Sequence, residues 1–452
     1  MSVLAPGVET RLIAWQLLLE QEAEGAFLKD LFPSRLAGMR DDDAALARTI
    51  CLGVIRRKRL LDHNLEQHAR RGIRDPRLRM LLRVGAQQML FLTGIPAFAA
   101  VNTAVEIAKS EFGKPEAGFV NAVLKSVARD GLLEPTGNDF ASLAVRHSHP
   151  EALVRRWGRA LKPVALEAAL RRNNEEAPLW IRVNPRRADA DMLVAALGEE
   201  GIRLEPHPDA PLFFRVAEGA GEALRSRAFA EGRFSVQDPV AHWVISLLDW
   251  SPGLSLLDAC SAPGGKAALA LELAAHDARE GADISSARIV CGDASFRRLR
   301  RIADARVRLG HLELEPVTMD LARPPFGAAV RFDRILLDAP CSNLGVLRRR
   351  PEARWSWTTE KIASLASRQA ELLESASALL KRGGRLVYAT CSAEAEETVD
   401  VVSGFLAKHP EFRAVDAGSL VPGELCREGF LRVWPGETEY DGFFAAALEL
   451  RG

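Results

Sequence analysis

One stretch constrains the chain more than any other: residues 254–266, LSLLDACSAPGGK. A short apolar run (Leu254, Leu256, Leu257) ends at Asp258. A tight Pro263-Gly264-Gly265 turn follows, and an Ala/Leu-rich helix, AALALELAA, begins after Lys266. Strand, glycine turn and helix make the βα unit that binds nucleotides. Glycine lets the backbone approach a ligand, and the helix N-terminus offers unpaired N–H groups to a carboxylate or phosphate. Taken alone, the segment also fits an ordinary βα turn with no ligand, so the surrounding sequence decides.

From Phe234 onward, strands alternate with helices, which predicts a Rossmann-like α/β domain: a parallel sheet wound on both faces. Strands are expected at 255–260, 288–292, 315–319, 334–337 and 385–389. A later pair at 431–434 and 443–450 reads as an antiparallel addition at one edge, giving a mixed sheet. In such sheets ligands bind beyond the carboxyl ends of the strands. The first end carries Asp258 and the glycine turn. The second carries Asp293, which suits the two hydroxyls of a ribose. The third carries Asp320, placed to accept from an adenine amino group. The fourth carries Asp338-Ala339-Pro340-Cys341-Ser342, and the fifth Thr390-Cys391-Ser392. Acids serving only as solvated surface would not keep to one edge of a sheet.

Asp293 follows Asp258 by 35 residues, more than the roughly 20 of a dinucleotide fingerprint. The loop 275–287, AHDAREGADISSA, accounts for the excess, and the glycine pattern is not GxGxxG. A nicotinamide dehydrogenase is disfavoured. A ribose and an adenine without a pyrophosphate point to S-adenosyl-L-methionine, with its methionine end over the 263–265 turn.

The two strand-end thiols suggest the reaction. C5 of cytosine is a poor nucleophile, but a thiolate attacking C6 turns C5 into an enamine carbon that accepts a methyl group. That attack needs an acid at N3, a role suited to Asp338, and a thiol of lowered pKa. A second cysteine assists loss of the C5 proton. The base must be out of its stack to be approached from its face. The remaining cysteines, Cys51, Cys291 and Cys426, read as small buried hydrophobes, and Cys260 as a packing or backbone residue of the turn. The six show no CxxC pair and no zinc spacing, so no metal is expected.

Residues 1–140 read as all-helical. Apolar residues recur at three- and four-residue spacing in 11–20 (Leu12, Trp15, Leu19) and from 44 to 61. Asp41, Asp42 and Asp43 suit a helix N-terminus. Lys+Arg and Asp+Glu balance at 60 each, so any nucleic-acid affinity must come from patches. One candidate is Arg56-Arg57-Lys58-Arg59, continued by Arg70, Arg71, Arg74, Arg77, Arg79 and Arg83. It reads either as a solvated helix face or as a phosphate-contacting surface. Residues 131–150 form a turn-rich connector. A small α+β domain is expected at 150–235, with Arg182, Arg186 and Arg187 as basic residues. Trp180 is either core or a stacking platform. No apolar run reaches the roughly 18 residues of a membrane span, and Glu9, Arg11 and Glu20 interrupt any leader pattern. The expectation is a cytoplasmic protein.

Phe27-Leu28, the helix 43–54 and Phe119-Val120-Asn121-Ala122-Val123-Leu124 resemble the RNA-binding helical domain of the NusB family, over roughly the first 130 residues. The motifs DACSAPGGK, DAPCS and TCS resemble the RNA cytosine-C5 methyltransferases of the Sun/Fmu/Nop family. Supporting them are Gln237-Asp238, Gly345 with Arg349-Arg350-Pro351-Glu352-Ala353-Arg354-Trp355, and Asp441-Gly442-Phe443-Phe444. With the NusB-like domain, the whole chain resembles the RsmB subgroup, the 16S ribosomal RNA cytosine-C5 methyltransferases. The resemblance implies a catalytic domain at 236–452 that methylates C5 of a cytosine, the 967 site, through a covalent cysteine–C6 adduct. It implies Cys391 as nucleophile, Cys341 as the residue aiding release and Asp338 beside them. It implies a cofactor site lined by Cys260, Ser261, Ala262, Pro263, Gly264, Gly265, Lys266, Asp293, Asp320 and Asp338. Arg56, Arg57, Lys58, Arg59, Arg71 and Arg182 are the candidate RNA contacts. The expected partner is small-subunit ribosomal RNA, and the expected state a monomer.

In DNA cytosine methyltransferases the cysteine after proline attacks, and on that pattern Cys341 would be the nucleophile. A different class of function also fits the domains: an RNA-binding ribosome-assembly or antitermination factor without catalysis. A third possibility is methylation of another RNA. The chain departs from its family in the longer loop before Asp293 and in Phe444-Ala445-Ala446-Ala447, where many members carry a lysine after the paired phenylalanines.

Overall fold

The computed structural model describes residues 7–278, 286–327 and 329–452. The chain divides into two compact units, Met1–Glu175 with Leu347–Ser356, and Glu176–Val346 with Trp357–Gly452. Much of the long loop before Asp293, residues 279–285, lies outside the described residues.

The first unit is helical. Its elements are α1 (Val8–Glu24), α2 (Leu28–Arg35), α3 (Asp41–His68), α4 (Pro76–Phe91), α5 (Ala97–Glu111), α6 (Lys114–Asp130), α7 (Phe140–Arg146), α8 (Glu151–Ala160) and α9 (Pro163–Arg172). Trp15, Leu18, Ile50, Val54, Leu81, Val84, Val120 and Leu124 belong to one buried cluster, each contributing about 1.5–3 kcal/mol by leaving water. The start of α3 at Asp41 puts three carboxylates at the positive end of its dipole. Asp75 caps α4 by accepting from Arg77 N at 2.8 Å and Leu78 N at 3.4 Å, with Pro76 in the first turn. The connector expected at 131–150 contains α7. Asp139 caps it by accepting from Ala141 N and Ser142 N, and Leu143 and Ala144 are buried. Caps and turns draw on the same residues, so turn-forming composition concealed a helix start.

The segment Leu347–Ser356 is distant in sequence yet belongs to this helical unit. Arg354, fully buried, donates to Ser148 O (3.2 Å), Asn173 O (2.8 Å) and Asn174 Oδ1 (2.6 Å). Trp355 Nε1 donates to Ile55 O at 2.9 Å, and Glu352 accepts from Leu28 N at 3.0 Å. Helix α3 is broken at Arg57 (φ −114°, ψ 15°). Past the break, Arg59 N donates to Ser148 Oγ at 2.9 Å, while Ile55 and Arg56 offer their carbonyls to the strap.

The second unit opens with a four-stranded antiparallel sheet made from β1 (Trp180–Val183), β2 (Arg203–Pro206), β3 (Phe213–Glu218) and β4 (Phe234–Val236), in the order β2-β3-β1-β4. Helix α10 (Ala190–Glu199) packs Leu193 and Leu197 against Ile181 and Val183. Two helical turns, α11 (Ala220–Ala223) and α12 (Arg227–Ala230), lead into β4.

After α13 (Val240–Leu248) the chain builds the large sheet: β5 (Ser255–Asp258), α14 (Gly265–Ala278), β6 (Arg288–Asp293), α15 (Phe296–Leu309), β7 (Leu314–Thr318) and β8 (Phe332–Asp338). It then passes through the strap, whose last turn is α16 (Ala353–Ser356), and returns as α17 (Thr359–Ser377), β9 (Leu380–Thr390), α18 (Val399–Lys408), β10 (Phe412–Val415), β11 (Cys426–Arg427), β12 (Phe430–Val433) and β13 (Phe443–Leu450). The strand order is β11-β12-β13-β9-β8-β5-β6-β7, with β10 also on β13. Strands β5 to β9 pair in parallel, and β13 runs antiparallel to β9, β12 and β10. Along β5, β8 and β9, neighbours enter opposite cores: Leu256, Leu336 and Val387 on one face, Leu257, Ile335, Leu337, Leu386 and Tyr388 on the other. Both faces are covered, so these strands read as unbroken apolar runs. The first crossovers run from β5 to β6 and β7 on one side, and the later ones to β8 and β9 on the other. A crevice therefore forms at the carboxyl end of β5, the topological switch point where such sheets bind ligands.

Candidate active site

Asp258 ends β5 at this switch point and is 1% exposed. One of its oxygens accepts from Ser261 Oγ at 2.9 Å. The other, Oδ1, is buried with no protein partner. Burial pushes this carboxyl up to about 7, opposed by the Ser261 hydroxyl and Lys266 and reinforced by Asp338 and Asp293. The turn after it is tightly held. Ser261 N donates to Gly292 O at 2.8 Å and Gly264 N to Ser261 O at 2.6 Å. Gly264 has φ +93°, and a Cβ there would lie 3.2 Å from Ile302, so glycine is needed for both conformation and space. Arg298 donates to Ala262 O at 2.9 Å on one side, and Arg182 to Gly265 O at 2.9 Å on the other. Cys260 is pushed up to about 12, by burial first and then by Asp258 and Asp338. It stays a thiol at neutral pH.

Asp293 ends β6, 5% exposed, accepting from Ser295 N at 2.9 Å and facing Arg298 at 3.4 Å. Asp320 lies two residues past β7. It is half exposed, accepts from Ala322 N at 3.1 Å and pairs with Arg368 at 2.9 Å. The Ala322 N–H foremost, with Arg368 adding to it, holds its carboxyl below the usual range. Asp338 ends β8 and accepts from Lys266 Nζ at 2.5 Å. Burial works against the Lys266 ammonium, but Asp338 and Asp258 together raise its pKa.

The two cysteines meet beyond β8 and β9. Cys341 Sγ and Cys391 Sγ stand 2.9 Å apart, both as free thiols. Cys391 Sγ donates to Asn343 Oδ1 at 3.4 Å, and Asn343 Nδ2 donates to Cys341 O at 3.0 Å. The Cys341 thiol is pushed well up, first by its hydrogen bond with Cys391, then by burial and by the charge of Glu397. Gly345 packs where a Cβ would fall 2.3 Å from Gly442 O and 2.9 Å from Cys391 O. That close approach is why a glycine from each of two distant motifs is needed.

Asp258, the 260–266 turn, Asp293, Asp320, Asp338, Cys341 and Cys391 thus share the carboxyl edge of one sheet. The basic candidates do not all behave as surface residues. Arg182 is 1% exposed, and its guanidinium is taken up by Glu272, Gln237 and Gly265 O. This corrects its reading as an RNA contact: β1 is buried at all four of its positions, so neither face of the strand offers Arg182 a route to solvent. Arg56 is also buried and donates to Arg348 O at 3.1 Å; it too is interior. Arg57 stacks over Phe91 at 4.3 Å, Lys58 pairs with Glu22 at 2.6 Å and Arg59 with Glu151 at 3.5 Å. Arg71 is exposed, lying 4.1 Å over Phe119. Trp180 is core. Sequence reasoning missed Glu397, Asn343 and Arg298, whose positions carry no signature until the chain is folded. Among the described residues, no cluster of three or more His, Cys, Asp or Glu side chains is arranged for a metal, and no helix is long and apolar enough to cross a membrane.

Three family profiles match this chain: the 16S rRNA methyltransferase RsmB/F family over residues 245–449, the NusB family over 8–129 and the RsmF/B-like ferredoxin-like domain over 149–220. A ribosomal RNA small subunit methyltransferase B from Salmonella paratyphi B is 34% identical over 442 residues, covering 97% of this chain and 98% of the relative. The protein of that name from Klebsiella pneumoniae is 34% identical over 448 residues, covering 98% of each. Among solved structures, PH0851 superposes with a TM-score of 0.79 at 27% identity, over 99% of this chain and 100% of that one. A methyltransferase homologue from Pyrococcus horikoshii shares the fold at TM-score 0.58 and 24% identity, over 70% of this chain and all of its own. With near-complete coverage at this identity, the chain belongs to the RsmB family of S-adenosylmethionine-dependent ribosomal RNA small-subunit methyltransferases.

Proposed function

We propose that the protein methylates C5 of a cytosine in 16S ribosomal RNA, at the site corresponding to cytosine 967, through a covalent cysteine–C6 adduct. The observation that carries this reading is the pair of free thiols 2.9 Å apart beside the Asp338–Lys266 pair. A methyltransferase acting on a nitrogen or oxygen needs no such pair.

The site fits the methyl donor. The buried, unpartnered Oδ1 of Asp258 suits the ammonium of a methionine, and Gly264, at positive φ, lets the turn fold tightly beside it. Asp293 is assigned to the ribose and Asp320 to the adenine amino group; each is pre-aligned by an arginine, Arg298 and Arg368. S-adenosylmethionine, when bound, supplies an electrophilic methyl group.

The protein's own residues do the rest. Cys391 Sγ adds to C6 of a base turned out of its stack, and the thiol proton is delivered to N3 through the Asp338–Lys266 pair. C5 thereby becomes the enamine carbon that takes the methyl group. The strongest influence holding Cys341 as a thiol is Cys391 itself. Once the Cys391 sulfur is committed to the S–C6 bond, Cys341 ionises more readily. Its own proton having passed to solvent as the one that methylation releases, the Cys341 thiolate takes the C5 proton; Cys391 leaves, and the N3 proton returns through the pair to restore its thiol. We assign RNA docking to exposed arginines of the helical unit, Arg70, Arg71 and Arg74, which have no ion-pair partner among the described residues. The protein acts as a cytoplasmic monomer on this reading.

Transfer of labelled methyl to unmethylated small-subunit RNA tests it. Wild type is expected to form 5-methylcytosine, Cys391→Ala none, and Cys341→Ala a protein–RNA adduct that migrates slowly on a denaturing gel. An adduct trapped by Cys391→Ala instead would reverse the two roles. No transfer by wild type would refute the reading.

A further inference from the structure

Each catalytic-loop cysteine is followed by a serine, and both serines converge on one buried carboxylate. Glu397 is 0% exposed. Its Oε2 accepts from Ser342 Oγ at 2.5 Å and from Ser392 Oγ at 2.6 Å. Its Oε1 accepts from Ser342 N at 2.8 Å and from Gln369 Nε2 at 3.1 Å. The same Gln369 amide donates to Pro340 O at 2.9 Å. Glu397 itself is anchored to β9, because Tyr388 Oη donates to its carbonyl at 2.7 Å. No cation pairs with this carboxylate among the described residues. Burying a carboxylate without a counter-charge is costly unless donors saturate it, and charge-assisted bonds of this kind are the strong ones. Four donors, three of them from the two cysteine loops, do so here. The β8–β9 pairing ends at Asp338 and Ala389; beyond it Ala339 N donates to Ala389 O at 2.9 Å and Gly345 N to Cys391 O at 3.1 Å, and Glu397 is the side chain that both cysteine loops share.

We propose that Glu397 is a positioning residue that locks the Cys341-Ser342 and Cys391-Ser392 loops into one register, so that both sulfurs address the same cytosine. The proposal rests on the assignment of both thiols to the reaction. The charge of Glu397 also bears on chemistry, because it helps keep the Cys341 thiol protonated before Cys391 is engaged. Glu397 touches no reacting atom: its hold on the loops passes through the two serines, and its charge acts on Cys341 through space.

Glu397→Gln keeps the size and one carbonyl acceptor while removing the charge. It is expected to lower kcat by about 10- to 100-fold, the penalty for a reacting group displaced by about 1 Å, with the KM for S-adenosylmethionine within twofold of wild type. Alkylation of Cys341 by iodoacetamide, measured in a Cys391→Ala background, should shift to lower pH. A third readout needs no activity. Diamide takes two hydrogens from a pair of thiols and leaves a disulfide; at a pH above the alkylation midpoints of both proteins, where the change in ionisation has no effect, its Cys341–Cys391 product should form at least several-fold more slowly in Glu397→Gln. Should wild type transfer no methyl while the diamide and alkylation shifts appear, the functional reading fails and the clamp stands. Unchanged kcat, alkylation profile and diamide rate would overturn the clamp. Parallel losses of kcat, cofactor KM and thermal stability would do so as well, by reducing Glu397 to general fold support.

Discussion

Replacing Arg182 by methionine keeps the stem of the side chain and removes every donor at its tip. That tip serves Glu272 through both carboxylate oxygens, Gln237 Oε1, and Gly265 O at 2.9 Å. Arg182 is 1% and Glu272 0% exposed, so water cannot take over. Glu272 would keep only His311, whose Nε2 lies 2.8 Å away. Breaking a buried pair from one side costs about 3–5 kcal/mol, because the remaining charge stays desolvated. The orphaned Gly265 carbonyl alone is a missing hydrogen bond of about 1–3 kcal/mol, already partly inside that range. The expected loss is about 4 kcal/mol in the second unit. Urea unfolding followed by the fluorescence of Trp180, Trp243 and Trp250 reads it. At a slope of about 3 kcal/mol per M, the midpoint falls by about 1 M. Gly265 begins the helix behind the cofactor turn, so the KM for S-adenosylmethionine should rise several-fold. RNA affinity and its salt dependence should not change at urea-free conditions. A midpoint shift equivalent to less than about 1 kcal/mol would refute the interior assignment. Weakened RNA binding with the midpoint unchanged would restore Arg182 to the surface role that composition suggested.

Two further outcomes follow from the same reasoning. Asp258 is held up at about 7, against an ordinary 3.8, so between those values the folded chain keeps a proton that the unfolded chain has released. Its contribution to stability is complete below about pH 4 and is lost as pH rises through 7. The stability gap between Asp258→Asn and wild type should therefore widen by about 2–3 kcal/mol from pH 5 to pH 8; equal urea midpoint gaps at both pH values would remove the assignment. Arg71→Glu with Arg74→Glu should weaken RNA binding and flatten its salt dependence by roughly 0.7 in log–log slope for each phosphate no longer neutralised. An unchanged slope in filter binding returns these residues to a solvated helix face.

The catalytic sheet was largely legible in the sequence because its signals are local. A buried parallel strand must be a run such as Leu256-Leu257 or Ile335-Leu336-Leu337, and it must end where polar residues resume, so Asp258, Asp293 and Asp338 mark strand ends before any coordinates exist. The pair at 431–434 and 443–450 is expected as an antiparallel addition at one edge, and β13 is observed at Phe443–Leu450, antiparallel to β9 and β12. Short strands β2, β4 and β10 were not visible. Three or four residues carry no period, and their state is set by the neighbour they pair with.

Charge was where sequence reasoning failed, and the reason is geometric. A cluster of cations such as 56–59 has no direction until helix phase, the break at Arg57 and packing assign each side chain a side. Folding put Arg56 inside, paired Lys58 and Arg59, and left Arg71 to solvent. Arg182 and Glu272 lie 90 residues apart, and Ser342 lies 55 residues from Glu397, which shares the β9–α18 connection with Ser392. No spacing rule links them. Motif chemistry named the two thiols and the carboxylates of the site; only the folded chain brings Cys341 and Cys391 to 2.9 Å and supplies Glu397 as the shared acceptor. Residue type sets what a group can do, whereas desolvation and hydrogen-bond partners, which depend on the whole fold, set what it does.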